Sequence, residues 1–283
     1  MSWIQVIALA IIQGFAELLP ISSSAHVVVA EKLMGLDPSA PALTLLLVLL
    51  HTGTMCAVIV YFWRDWRASY FKSTSALGHF VAALVIATAL TAVIGEGIAL
   101  GMERAFLPRS AHAEVEDLFG HLELIAPALF AVGILIVVSY ALERRIVKQP
   151  RVSLGQSAIV GAVQGLSLPF RGFSRSGATI SAGMLGGVEK SAAETFSFAL
   201  AVVLTPPVVL REALRLRHEG SLLSIDVRAA VWLSVLGGVL AFFAGLLALK
   251  WISSWLERGR WYYFGVYCMM AAIAVALLHR AGY

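Results

Sequence analysis

Two polar stretches interrupt long apolar runs in this sequence and decide how the chain folds. The first is PISSSAH, residues 20–26, within an apolar run over residues 2–36. The second is PFRGFSRSG, residues 169–177, within a run over residues 153–190. Proline and glycine among serines end helices. Each run is therefore predicted to hold a helix, a polar break and a second helix.

The composition around these breaks is that of a membrane protein. Of the 283 residues, 59% are hydrophobic and 13% are charged, and the mean hydropathy is +0.85. An ordinary globular domain has about 25% charged residues. This composition excludes a soluble enzyme, a nucleic-acid-binding protein and a disordered chain, and it leaves an all-α integral membrane protein. The net charge of +4 is assigned to cytoplasmic loops, not to a nucleic-acid partner.

The apolar runs predict six membrane-spanning helices, because a span needs roughly 20 apolar residues. Polar backbone at membrane depth is tolerated only inside protein or beside a water-filled cavity. The two broken runs are therefore predicted to be re-entrant helical hairpins; the alternative is that each contains two full spans and a surface loop. The predicted spans are about 42–62, 80–100, 124–142, 191–210, 229–249 and 261–279.

The two broken runs also resemble each other. Gln13-Gly14 and Gln164-Gly165 are each followed by Leu-Pro and a serine-containing turn. Because three predicted spans follow each broken run, the single membrane domain is interpreted as two pseudo-repeats, 1–145 and 150–283, with inverted topology. Broken helices at matching positions of two such halves indicate the functional site.

Loop charge predicts the orientation of the chain. Basic residues are concentrated in loops 63–79 and 143–152, whereas loop 101–121 is mainly acidic. The positive-inside rule places the first two loops in the cytoplasm and the third outside.

The first break carries a cluster of polar residues that are costly in an apolar run and so mark a candidate site. Gln13 and Glu17 lie four residues apart, on one helix face. Glu17 can bind a hard cation, Mg²⁺ or Ca²⁺, and His26 can transfer a proton. Ser23 completes this set of candidates. The alternative is that Glu17 and His26 only satisfy each other or the backbone.

The second break carries an anion-binding pattern. Arg175 supplies a planar, permanently charged group that suits phosphate oxygens. The hydroxyls of Ser174, Ser176 and Thr179 can join backbone N–H groups at the start of the next helix. Arg171 could add a second contact. The alternative for the arginines is an interfacial position, in which the charged group reaches towards water.

Together the two clusters predict phosphate chemistry on a lipid-linked substrate that enters sideways from the membrane. Within the first long span, His51 is a further candidate to line this site.

The motifs QGFAELLPISSSAH, residues 13–26, and GFSRSGATIS, residues 172–181, resemble those of the undecaprenyl-pyrophosphate phosphatase family, the bacitracin-resistance family. The resemblance extends over nearly the whole chain. It implies hydrolysis of undecaprenyl pyrophosphate on the outer face of the bacterial inner membrane, recycling the cell-wall lipid carrier. It also implies a divalent cation, six spans with two re-entrant hairpins, and a homodimer.

Two positions depart from that family's pattern. Gln13 stands where the family usually has Glu, which removes one negative charge from the expected metal site. Arg171 stands where the family has Pro before the glycine, and it could contact the phosphate.

The resulting hypothesis places the metal on Glu17 and Gln13 and the terminal phosphoryl group on Arg175 and the nearby hydroxyls. His26 moves the proton. Ser23, His26 and water all stay open as the nucleophile. A transporter that flips the polyprenyl phosphate lipid is the alternative function, since inverted repeats with broken helices are a transporter design. A second lipid-phosphatase type would need His at position 181, where this chain has Ser181.

Overall fold

The computed structural model describes residues 1–37, 40–106, 122–218 and 227–281. Most of the loop 101–121 falls outside these ranges, including the acidic residues Glu114, Glu116 and Asp117 on which its outward assignment depends. The regular secondary structure of the described residues is helical, apart from one isolated parallel bridge between Gln149 and Val188.

Ten α-helices and one short 3₁₀ helix follow one another along the described chain. Six of the α-helices are long and apolar enough to cross a membrane, which confirms the predicted all-α membrane fold. In order they are α1 (Trp3–Leu18), α2 (Ser23–Leu33), α3 (Pro41–Ser69), α4 (Thr74–Phe106), α5 (Leu122–Leu142), the 3₁₀ helix Glu143–Arg145, α6 (Leu154–Ser167), α7 (Arg175–Leu185), α8 (Lys190–His218), α9 (Val227–Glu257) and α10 (Tyr262–Arg280).

The first helix of each broken run begins with the same capping chemistry. The hydroxyl of Ser2 accepts the backbone N–H of Gln5, and the side chain of Gln5 accepts the N–H of Ser2. Ser153 and Gln156 form the same capping box at the start of α6. These reciprocal bonds satisfy backbone N–H groups that have no partner within the helix.

The helices that precede the breaks pack on spans from the other half of the chain: α1 on α9, and α6 on α4. Glycine allows the close approach in both places, as is common between membrane helices. A Cβ atom at Gly14 would lie 2.9 Å from the carbonyl oxygen of Ala241, and one at Gly165 would lie 3.0 Å from that of Thr91. An inverted repeat predicts such an exchange of partners, but the repeat itself stays a prediction.

The outward surface of the spans is apolar. A soluble protein rarely exposes so many large hydrophobic side chains, whereas a bilayer accommodates them. Those more than half exposed include Val85, Val93, Phe243, Leu247, Ile273 and Leu277.

Candidate active site

The two polar breaks meet in the interior of the bundle. The hydroxyl of Ser176, in the first turn of α7, donates to the carbonyl oxygen of Leu19, 3.3 Å away. Close by, the thiol of Cys268 on α10 donates to the carbonyl oxygen of Pro20 at 3.3 Å. Polar groups from the two predicted clusters therefore lie side by side.

Glu17, at the end of α1, is the centre of the polar contacts. Its Oε2 accepts hydrogen bonds from Ser23 Oγ at 2.6 Å and from Gln13 Nε2 at 3.1 Å. Its Oε1 pairs with Arg175 Nη2 at 2.9 Å. His51 on α3 adds Nε2 at 3.8 Å from Oε2. One carboxylate thus joins α1, the start of α2, α3 and the second break.

Arg175 keeps an unused donor. Its side chain is 17% exposed, and Nη2 is held by Glu17. The buried Nη1 has no hydrogen-bond partner among the described residues. A buried guanidinium donor without a partner costs free energy, and a phosphate oxygen is a good acceptor for it. The arrangement suits an anionic ligand, whose oxygen could accept a hydrogen bond from Nη1.

Each break contains a serine that caps the helix after it. The hydroxyl of Ser22 accepts the N–H of Ala25, and that of Ser174 accepts the N–H of Gly177. Ser22 also has φ +67°, in the left-handed region that side chains other than glycine seldom adopt. Such conformations cluster at functional sites. The N-termini of α2 and α7, which favour negative charge, therefore both start at the breaks.

The three hydroxyl residues predicted to bind phosphate are buried and already bonded. Ser174 caps α7, and Ser176 bonds to Leu19. Thr179 donates to the carbonyl oxygen of Arg175 at 2.8 Å and lies 2.6 Å from Ser197 Oγ. Arg175, by contrast, keeps a buried donor that has no partner among the described residues.

His26 lies in the same break but bonds to different partners. Its Nδ1 donates to the carbonyl oxygen of Ser22 at 2.7 Å, and its Nε2 lies 2.7 Å from the hydroxyl of Tyr267 on α10. The two rings also stack, with centroids 5.7 Å apart. Among the described residues, neither a hydrogen bond nor an ion pair joins His26 to Glu17.

Arg171 lies within electrostatic reach of Glu31 on α2. Glu31 is 3% exposed, and its Oε1 has no hydrogen-bond partner in the described part of the chain. The attraction links the second break to the first hairpin.

Sequence reasoning left Tyr267 and Glu31 out of the candidate site and rated His51 below His26. Tyr267 lies in a membrane helix outside any recognisable motif, and Glu31 lies near the end of α2, away from the polar break. Neither position therefore indicated a functional residue. The pairing of His51 with Glu17 depends on how α3 packs beside α1, and the local sequence does not predict that packing. The polar character of His51 within an apolar span, and the similarity of residues 51–54 to the family's pattern, were the signals for it.

The expected divalent cation can be tested against the oxygen donors at this site. Glu17 supplies the carboxylate, and Gln13 can supply an amide oxygen. Among the described residues, no group of three or more His, Cys, Asp or Glu side chains could enclose a metal. Mg²⁺ commonly uses one or two carboxylates together with substrate phosphates and water. Both oxygens of Glu17 are already bonded to protein side chains, so a cation held here would need substrate phosphates and water for most of its coordination.

Comparisons with known proteins identify the family of this chain. The family model described as "Bacitracin resistance protein BacA" matches residues 6–274. "Undecaprenyl-diphosphatase 2" of Acinetobacter baylyi is 50% identical over 273 residues, covering 95% of each chain. "Undecaprenyl-diphosphatase" of Desulfatibacillum aliphaticivorans is 32% identical, covering 97% of this chain and 98% of its own. That of Rhodopirellula baltica is 31% identical, covering 98% of each. With a family model that matches nearly its whole length, this chain belongs to the BacA family of bacitracin resistance proteins.

Proposed function

We propose that this chain is an undecaprenyl-diphosphatase, which hydrolyses undecaprenyl pyrophosphate to undecaprenyl phosphate and inorganic phosphate. The observation that carries the proposal is the unused Nη1 donor of Arg175, buried beside the Glu17–Ser23 hydrogen bond. An anion-binding group next to a hydroxyl paired with a carboxylate is what phosphoryl transfer requires. The names of the relatives favour hydrolysis over the lipid-flipping alternative.

Arg175 binds the terminal phosphoryl group through Nη1. Its Nη2 stays on Glu17, so the guanidinium is fixed before the substrate arrives. Catalysis of phosphoryl transfer depends mainly on such positioning and on stabilising the charge of the equatorial oxygens. The N-termini of α2 and α7 add favourable dipoles for the same anion.

Ser23 is the nucleophile that the geometry favours. Its oxygen forms a bond to the terminal phosphorus, its proton passes to Glu17, and the bond from phosphorus to the bridging oxygen breaks. Undecaprenyl phosphate leaves with the electron pair of that bond and takes the proton from Glu17. Water then attacks the phosphorus of the phosphoserine and loses a proton to the free carboxylate. The bond from phosphorus to Oγ breaks and Glu17 returns that proton to Oγ, which regenerates Ser23 and releases phosphate.

His26 is the proposed proton-transfer group, and it contacts Ser22 and Tyr267 instead of Glu17. A carbonyl oxygen only accepts hydrogen bonds, so Nδ1 of His26 carries a proton and a neutral ring leaves Nε2 as the acceptor for Tyr267. Tyr267 thereby fixes the orientation of His26, whose Nε2 can exchange a proton with a departing or arriving oxygen.

The divalent cation would bind to Glu17 and the amide oxygen of Gln13. When bound, it neutralises charge that develops on the pyrophosphate oxygens. The single carboxylate leaves most of its coordination to substrate and water, so we expect weaker metal binding than with Glu at position 13.

The site is proposed to open to the outer face of the bacterial inner membrane. Support comes from the direction of the helices: α3 leaves the first hairpin and ends at the basic loop 63–79, which the positive-inside rule assigns to the cytoplasm. Because α3 ends at the cytoplasmic face, it begins at the outer face, and the first hairpin before it begins and ends at that outer face. A polyprenyl pyrophosphate substrate could enter sideways from the lipid. The homodimer stays a prediction.

The test is phosphate release from undecaprenyl pyrophosphate by purified protein in detergent, with and without a chelator. Detergent removes the compartments, so a pure transporter releases nothing. We expect release that the chelator abolishes and added Mg²⁺ restores. Gln13→Glu should lower the Mg²⁺ concentration needed for half-maximal rate, because it adds a carboxylate ligand. Absence of phosphate release in every condition would refute the proposed hydrolysis.

A further inference from the structure

A cavity lies at the opposite end of α6 from the second break. It encloses about 420 Å³ between the end of α3, the start of α4 and the segment that leads into α6. These segments belong to the basic loops 63–79 and 143–152. One wall is fixed by His79, whose Nε2 donates to the carbonyl oxygen of Val152 at 2.9 Å. The cavity is therefore separate from the candidate active site.

The lining of this cavity is positively charged. Lys72 and Arg151 both face it, and none of the described residues around it is Asp or Glu. Neither basic side chain forms an ion pair with another described residue. Both residues are exposed, and two cations beside one cavity favour an anion over a neutral ligand.

Neutral donors reinforce that preference. Burial raises the pKa of Tyr70 to about 12, so its hydroxyl stays protonated and can donate a hydrogen bond. The lining also includes Ser73 and Ser153, the residues just before α4 and α6. Two helix N-termini, each with a partial positive charge, therefore begin at the cavity.

The cavity lies at the boundary between membrane and water. Nearby on the same end of α3, Trp63 and Phe71 are 52% and 49% exposed and their rings lie 6.2 Å apart. Exposed aromatic residues at the ends of spans mark the headgroup level of a bilayer. Basic pockets between membrane helices on the cytoplasmic side suit anionic lipid headgroups.

We propose that this cavity binds the phosphate headgroup of an anionic phospholipid, of the phosphatidylglycerol type, from the leaflet at the basic end of the bundle. Lys72 and Arg151 hold the phosphate, and the cavity takes the rest of the headgroup. The acyl chains lie along the apolar surface near Trp63 and Phe71. This site is independent of the hydrolysis proposed above.

Native mass spectrometry of the purified full chain, titrated with phosphatidylglycerol or phosphatidylcholine of the same acyl chains, tests the proposal. The pocket variant Lys72→Gln/Arg151→Gln is compared with Arg64→Gln/Arg67→Gln, which removes the same charge from exposed positions outside the cavity. We expect the first-bound phosphatidylglycerol to dissociate about tenfold or more readily from the pocket variant. The control variant should bind like wild type.

Three further measurements make the outcome decisive. The melting temperature of the pocket variant should equal that of wild type, which shows that it folds, and its phosphate release should also be unchanged. Lys72→Arg/Arg151→Lys, which keeps both charges, should keep the lipid. Equal retention of phosphatidylglycerol by wild type and pocket variant, or equal affinity for phosphatidylcholine, would overturn the proposal. Displacement of the lipid by an equal concentration of glycerol phosphate would assign the cavity to a soluble anion instead.

Discussion

The carboxylate of Glu17 contacts side chains from both broken runs, Ser23 in one and Arg175 in the other. The sequence identifies these residues one by one, since ionisable and hydroxyl groups are rare in apolar runs. It does not show which oxygen of Glu17 each one contacts. It groups His26 with Glu17 and names His51 as a further candidate, whereas the structure pairs His51 with Glu17. Such pairings depend on rotamers and on packing between distant helices.

Replacing Ser23 tests the attacking group. We expect Ser23→Ala to lower kcat for phosphate release about a hundredfold or more, because it removes the hydroxyl bonded to Glu17. Ser24 is the comparison, since its hydroxyl pairs with Ser22 at 3.3 Å; Ser24→Ala should keep most of the rate. A wild-type kcat in Ser23→Ala would show that water attacks without this hydroxyl.

Replacing Tyr267 tests whether it positions His26. Tyr267→Phe keeps the stacked ring but removes the hydroxyl on Nε2. One hydrogen bond contributes about 1 kcal/mol, so we expect kcat to fall roughly fivefold while KM stays unchanged. The pH dependence of kcat should also shift. A lower melting temperature with unchanged kcat and pH profile would indicate a purely structural role.

At the scale of helices, the sequence predicts a large part of the fold. Hydrophobic length gives the six spans, and the proline and serine runs give both breaks. Sequence reasoning did not predict the left-handed backbone of Ser22, because a Ser-Ser-Ser run gives no signal for a positive φ. The close packing of α1 on α9 and of α6 on α4 was also not predicted, because a single glycine in the sequence does not indicate which helix packs against it.

Gly172 provides a test of how tightly the second break is built. Its φ is +102°, and an added Cβ atom would meet the carbonyl oxygen of Ile125 on α5. We expect Gly172→Ala to reduce the free energy of unfolding by about 1–3 kcal/mol or more. Gly155→Ala is the control, because Gly155 lies in a helix with open space around it. Thermal unfolding in detergent measures both. Equal melting temperatures would mean that the break can rearrange at little cost.

At the scale of the whole molecule, the two breaks form one site only because the hairpins meet. The repeated Gln-Gly and Leu-Pro motifs predict this meeting. The contact between Ser176 and Leu19, and that between Arg175 and Glu17, bring the two clusters together. Neither half alone supplies both the paired hydroxyl and the anion-binding group. Activity should therefore depend on the residue from the second half as strongly as on those from the first.

The most direct measurement is phosphate release from undecaprenyl pyrophosphate by purified Arg175→Ala, compared with wild type and with Arg144→Ala. Arg144 is exposed at the basic end of the bundle, in the 3₁₀ helix. Loss of a preorganised donor to a developing anion costs about a hundredfold or more in rate. We expect that loss in Arg175→Ala and a wild-type rate in Arg144→Ala. Phosphate release at the wild-type rate by folded Arg175→Ala would contradict a shared site.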